Sequence, residues 1–169
     1  RTNLIGSYNS DNVLAALCVA TYMNVPATDA IAAISEYVPS NNRSQLTKTE
    51  RNSLVVDAYN ANPTSMKAAI ENFAQLGMPS KVLVLGDMLE LGEESLGEHT
   101  GVVKLLSDLN FANVLLVGGE FAKVESQYKS FATTAEVVEF LKERNIASKT
   151  ILIKGSRGIA LEQTIAYLK

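Results

Sequence analysis

From Ser53 onward the chain alternates short apolar runs with longer segments of helical spacing, and no other feature constrains its fold as strongly. "SLVVDAY", "KVLVLG", "NVLLVG" and "TILIKG" read as strands. "TSMKAAIENFAQLG", ended by Gly77, then "TGVVKLLSDLN", "TTAEVVEFLKERN" and "ALEQTIAYLK" read as helices between and after them. "SQYKSFA" is expected to add a short strand. Strands apolar on both faces must be covered on both, so the pattern predicts an α/β fold: a doubly wound, mostly parallel sheet with helices on each side.

The first part of the chain follows another pattern. "NVLAALCVATYMNV" has helical spacing, and "ATDAIAAISEY" predicts a second short helix with Thr28 as its cap and Val25, Ala30, Ile31 and Ile34 on its apolar side. "VPSNNRSQLTKTERN" is polar, contains Pro39 and reads as a linker or boundary. The chain opens on Arg1 without an initiator methionine, so the first helix reads as the tail of a preceding domain. The expected division is 1–39 and 40–169. A length of 169 residues that are 47% hydrophobic suffices for one cored domain plus such a fragment.

Charge and composition exclude several functions. Fifteen basic against 18 acidic residues give a net charge of -3, unlike the basic footprint of a nucleic-acid binder. No apolar run approaches the ~20 residues of a membrane span, and no signal peptide opens the chain, so a cytoplasmic protein without membrane contact is expected. One cysteine, Cys18, precludes an internal disulfide, and its apolar segment predicts burial. One histidine, His99, leaves no His/Cys cluster, so no metal site is expected.

In doubly wound sheets ligands gather at the C-terminal strand ends, beside helix N-termini. Those ends read "DAYNANP", "GDMLELGEES", "GGEF" and "KGSRG". Each alone fits a solvated loop or a turn, and in "VVDAYNANPTSM" Asn62 could simply cap a helix starting at Pro63. Together on one sheet edge they suggest phosphate and ribose handling. The Asp57 carboxylate suits ribose hydroxyls, and the amides of Asn60 and Asn62 suit anionic oxygens. Lys154 and Arg157 bring positive charge, and Ser156 with the glycine backbone lets an anion approach closely. No phosphate loop of the form G-x-x-x-x-G-K-[ST] and no G-x-G-x-x-G after the first strand occurs.

"DAYNANPTSMKAAIENF", "VLGDMLELGEESLGEHTGV" and "LIKGSRG" resemble the C-terminal domain of the Mur ligases, which is Rossmann-like, and the opening "GSYNSDNVLAA" is similar to the end of that family's central ATP-binding domain. "YNANP" with "LGDMLELGE" resembles the member that joins D-alanyl-D-alanine to UDP-N-acetylmuramoyl-tripeptide in peptidoglycan precursor synthesis. The resemblance implies use of ATP and Mg2+: the tripeptide carboxylate is activated as an acyl phosphate, which the dipeptide amine then attacks. It implies that Asn9 and Asn12 lie near the adenine, that Arg43 reaches the nucleotide phosphates, and that Asp57, Tyr59, Asn60 and Asn62 line the nucleotide. It places Asp87, Lys154, Ser156 and Arg157 in loops facing the dipeptide. It names no catalytic residue. Tyr8 and Ala58 depart from the family's histidine and serine, and His99 matches a family histidine read as structural. The tripeptide would bind domains outside this chain, so the 169 residues alone are expected not to catalyse ligation. A non-catalytic nucleotide-binding module and another amide ligase of the superfamily, such as a folate-glutamate or different muramoyl-peptide enzyme, remain the alternatives.

Overall fold

The computed structural model describes residues 2, 4, 9–38 and 45–169. Its centre is a sheet of six strands: β1 (Gln45–Lys48), β2 (Ser53–Asp57), β3 (Lys81–Gly86), β4 (Val114–Val117), β5 (Lys129–Phe131) and β6 (Thr150–Lys154). The spatial order is β1-β2-β6-β3-β4-β5, and every pair is parallel except β1 with β2. All five residues of β6, the strand between β2 and β3, are buried, which is why "TILIK" shows no polar alternation.

Side chains alternate across this sheet and feed two cores. On one face, α3 (Pro63–Gln75) and α4 (Ser95–Asp108) bring Met66, Ile70, Phe73 and Leu106 against Val55, Leu83, Leu116 and Leu152. On the other, α5 (Thr134–Lys142) and the C-terminal helical segment bring Val137, Leu141, Leu161 and Leu168 against Leu54, Val56, Val84 and Ile153. The expected doubly wound, mostly parallel fold is the one observed.

Four local expectations change. The polar stretch after Pro39 contains β1, which pairs antiparallel with β2 through a turn in which the Thr49 backbone N–H and hydroxyl both donate to the Asn52 carbonyl at 2.8 and 2.9 Å. An edge strand leaves a side uncovered, so its sequence carries little apolar signal. α4 begins at Ser95, well before the expected "TGVV", because "SLGEH" presents only His99 to the core. The closing helix is a 3₁₀ turn at Leu161–Thr164 followed by a single α-turn, α6 (Ile165–Leu168), after Ala160 takes a left-handed φ of 58°. That kink seats Leu161 against Gly86, where a Cβ would come within 3.0 Å of its Cδ1. Thr28 lies inside α2 (Ala27–Glu36), whose N-cap is Pro26 without a side-chain cap.

The chain end is tied to the start of β2. Asn52, 5% exposed, donates to the carbonyls of Ile146 and Leu168 at 2.7 and 2.8 Å and accepts from the Lys149 N–H at 2.9 Å. The Arg51 guanidinium adds bonds to the carbonyls of Tyr167 and Lys169.

α1 (Asn9–Tyr22) packs against α2. Its apolar residues run around the whole helix while α2 meets only one side, so Leu14, Val19 and Tyr22 are exposed, and so is Cys18, against the expected burial. On α2, Ala30 is buried, but Val25 just before it and Ile31 are exposed. No helix among the described residues is long and apolar enough to cross a membrane.

Candidate functional site at the strand ends

β2 and β3 run into α3 and α4 on one face of the sheet, whereas β6 between them runs into the C-terminal segment on the other. Connections that part to opposite faces open a crevice at the C-terminal strand ends, the usual ligand position in such sheets. The ends of β2, β6 and β3 are therefore the candidate site.

Asp57 and Lys154 are the last residues of β2 and β6 and directly paired in register. The Lys154 ammonium, with its side chain 1% exposed, donates to Asp57 Oδ2 at 2.7 Å and to the Asn60 carbonyl at 3.1 Å. A buried ammonium is tolerated only with such a partner. The pair joins the two strand ends and leaves Asp57, at 16% exposure, on the solvent side.

Beyond it the groups face outward. Tyr59 is 39% exposed, and the exposed Arg157 guanidinium lies 5.5 Å from its ring centroid, a cation–π contact at the mouth of the crevice. Asn60 is exposed, its carbonyl engaged by Lys154. Asn62 caps α3 as its sequence allows: its side-chain oxygen accepts from the Ser65 N–H at 2.8 Å, the Ser65 hydroxyl accepts from the Asn62 N–H at 3.1 Å, and Pro63 is the first helical residue. The run of hydrogen-bonding side chains after β2 thus serves helix initiation at Asn62 and the crevice at Asp57 to Asn60.

The end of β3 is organised around Asp87, which is 3% exposed. Its two carboxylate oxygens accept from the N–H groups of Glu120 and Phe121 at 2.8 and 2.9 Å, at the start of the 3₁₀ turn Phe121–Lys123 after β4. Gly118, with φ 129°, makes room for it, since a Cβ there would lie 2.2 Å from the carboxylate. His99 is wholly buried beside this cradle, edge-on to Phe121. The Met88 N–H donates to its Nε2 at 3.1 Å, so that nitrogen bears no hydrogen, and Nδ1–H donates to the Ser95 carbonyl at 2.7 Å. In this tautomer the 3.6 Å approach of Nε2 to Asp87 is not an ion pair. Both ring nitrogens of His99 are thus held by backbone groups, which is what the structural reading expects. The Ser95 hydroxyl closes the ring by donating to Glu120 at 2.8 Å. Hydrogen bonds from Lys123 and then Ser95 hold the Glu120 carboxyl below its ordinary range.

Ser156 joins the two halves. It is 6% exposed, its Oγ accepts from the Leu89 N–H at 3.0 Å and donates to the Ala61 carbonyl at 3.4 Å, and its own N–H donates to the Asp87 carbonyl at 3.0 Å.

The structure thus assembles Asp57, Tyr59, Asn60, Lys154, Ser156 and Arg157 at one edge, with Asp87 turned inward behind them. Asn9 and Asn12 pair with each other on α1, Asn12 donating to Asn9 at 3.1 Å. Arg43 and Tyr8 lie outside the described residues. The cradle of Gly118, Glu120 and Phe121 was missed, although the glycine pair of "VGGEF" after an apolar strand was its signal. Among the described residues no group of three or more His, Cys, Asp or Glu could hold a metal ion.

The family described as Mur ligase, glutamate ligase domain, matches residues 42–157. The UDP-N-acetylmuramoyl-tripeptide–D-alanyl-D-alanine ligase of Bacillus subtilis is 35% identical over 98% of this chain, which corresponds to 38% of that protein. The like-named ligase of Treponema pallidum is 33% identical over 100% of this chain and 39% of its own length. A crystal structure of MurF from Acinetobacter baumannii superposes with a TM-score of 0.82 at 32% identity, over 96% of this chain and 38% of that one. The chain thus spans well under half the length of the relatives it matches.

Proposed function

We propose, from the premise that the chain belongs to the Mur ligase family, that it is the C-terminal part of an ATP-dependent ligase joining D-alanyl-D-alanine to UDP-N-acetylmuramoyl-tripeptide. The observation that carries this reading is that relatives bearing that one activity in their name align over 98% to 100% of the chain. Residues 40–169 are the family's C-terminal domain, and 1–39 are the tail of its central ATP-binding domain. The chain supplies nucleotide and dipeptide contacts and does not complete the reaction alone.

ATP supplies the phosphoryl group that activates the tripeptide carboxylate. Of this chain's residues, Asp57 accepts ribose hydroxyls at the solvent-facing end of β2, and Tyr59, Asn60 and Asn62 line the nucleotide edge. Asn9 and Asn12 approach the adenine and Arg43 the phosphates. Arg157, exposed at the crevice mouth, binds the dipeptide carboxylate, for which a planar guanidinium is suited. By the family resemblance Asp87, Lys154 and Ser156 belong to the dipeptide side. Closure of this edge on the rest of the enzyme excludes water from the activated carboxylate. Among the described residues no cluster of three or more His, Cys, Asp or Glu stands ready for a metal, and Mg2+ is expected to arrive on the nucleotide phosphates.

Calorimetric titration tests this with D-alanyl-D-alanine and with a non-hydrolysable ATP analogue plus magnesium. Saturable binding of either that Arg157→Ala or Asp57→Asn removes is expected. Phosphate release above background by this chain with ATP, tripeptide substrate and dipeptide would refute its inactivity. Binding of glutamate or another amino acid in preference to the dipeptide would redirect the assignment to a different ligase of the superfamily.

A further inference from the structure

The segment after β6 divides sharply. Arg157 is exposed, while Lys154 and Ser156 are 1% and 6% exposed and turn their polar atoms to neighbouring loops. We propose that Lys154 and Ser156 form a clamp that fixes the loops after β2 and β3 in one arrangement, and that neither touches ligand. They are positioning residues for the site, which rests on the ligase reading above, and this reassigns them from the dipeptide contacts that the family resemblance suggests.

Each polar atom of the clamp is accounted for by the protein. Lys154 holds the loop after β2 by its bonds to the Asp57 carboxylate and the Asn60 carbonyl. Ser156 holds both loops, through the Ala61 carbonyl on one side and the Leu89 N–H and Asp87 carbonyl on the other. The segment between them is packed tightly against the end of β3, since Gly155 approaches Gly86 so closely that a Cβ would lie 2.9 Å from the Gly86 Cα. Farther along, Gly158 lies under Leu89, where a Cβ would meet its Cδ1 at 2.8 Å. The β6 segment is thus wedged between the loop that presents Asp57, Tyr59 and Asn60 and the loop that presents Leu89 and Glu90. Lys154 therefore acts on the nucleotide through Asp57 and Asn60, and Ser156 sets the spacing of the two half-sites.

The test combines hydrogen exchange and titration on the 169-residue chain. Ser156→Ala should speed exchange of the Leu89 amide about tenfold or more while the Val84 amide, in the centre of β3, is unmoved. Lys154→Met should weaken the non-hydrolysable ATP analogue about tenfold or more and leave D-alanyl-D-alanine within about twofold. Arg157→Ala serves as the control that loses dipeptide without altering Leu89 exchange. Unchanged Leu89 exchange in Ser156→Ala overturns the clamp. So does a Lys154→Met chain that loses dipeptide and keeps nucleotide, since Lys154 would then be a contact. If the wild-type chain binds neither ligand, what fails is the claim that this chain carries a half-site. The exchange result then decides the clamp alone, as it does if Lys154→Met does not fold.

Discussion

Gly118→Ala together with Asp87→Ala gives a double-mutant cycle whose outcome the cradle geometry fixes in advance. At Gly118, φ is 129° and an added Cβ would stand 2.2 Å from the Asp87 carboxylate. Alanine there costs about 1–3 kcal/mol for the backbone alone. It must also expel Asp87, forfeiting two charge-assisted hydrogen bonds worth about 1.5–3 kcal/mol each. The single substitution should therefore cost roughly 4–9 kcal/mol, a large part of the ~5–15 kcal/mol available to a domain. Asp87→Ala forfeits the same two bonds, roughly 3–6 kcal/mol. Once Asp87 is gone, Gly118→Ala adds only its backbone cost. The double variant should thus be about as stable as Gly118→Ala alone, not the sum of the two. Urea unfolding reads this as midpoints at constant slope. Additivity of the singles within about 0.5 kcal/mol would refute the account, because it would mean that the glycine and the carboxylate do not share one space.

Asn62→Ala should cost about 1 kcal/mol through the lost cap, and Asn62→Asp should restore it, measured by urea midpoint. Loss of nucleotide binding in the aspartate variant would then report a ligand contact rather than helix fraying. Asn52→Ala leaves the Lys149 N–H and two carbonyls without partners, so a loss of about 2–4 kcal/mol is expected, with faster exchange of the Lys149 amide. Glu120 has a folded-state pKa below its ordinary 4.5. Its contribution is present above that ordinary value and is lost as pH falls through the folded one. Glu120→Gln should therefore lower the urea midpoint at neutral pH and converge with wild type on the acid side, and a deficit unchanged across that window would contradict the assignment.

The parallel sheet was legible because each of its apolar runs is buried on both faces, and β1 was not because an edge strand buries too little to write a pattern. The break at Ala160 was hidden for a related reason: "ALEQTIAYLK" has good helix formers, but packing Leu161 on Gly86 outweighs propensities of tenths of a kcal/mol. At the site, residue types and their common edge could be read, and their orientation could not. Asp57 and Lys154 each end an apolar strand, yet only the order β2-β6-β3 makes them neighbours, and nothing local encodes that β6 inserts there. Asp87 reads as a loop carboxylate until Gly118, remote in sequence, is seen to leave it a socket.

The pairing of Asp57 with Lys154 also decides how the nucleotide edge should be probed. Asp57→Ala removes a ribose acceptor, but it also strands an ammonium that is 1% exposed, and breaking a buried pair in this way costs about 3–5 kcal/mol. Binding lost in that variant could then come from a displaced Asn60 loop, since the same ammonium holds the Asn60 carbonyl. Asp57→Asn is milder: its amide oxygen still accepts from Lys154, so it should cost less stability than alanine although the counter-charge is lost, while its ability to accept from ribose hydroxyls is reduced. If Asp57 contacts the nucleotide, the asparagine variant should unfold at a higher midpoint than the alanine variant and yet lose affinity for the ATP analogue as fully as alanine does. If Asp57 serves only to hold Lys154, affinity should follow stability through both variants, with asparagine between wild type and alanine in each. Comparing the two measurements on the two variants separates the contact from the scaffold, which the alanine variant alone cannot do.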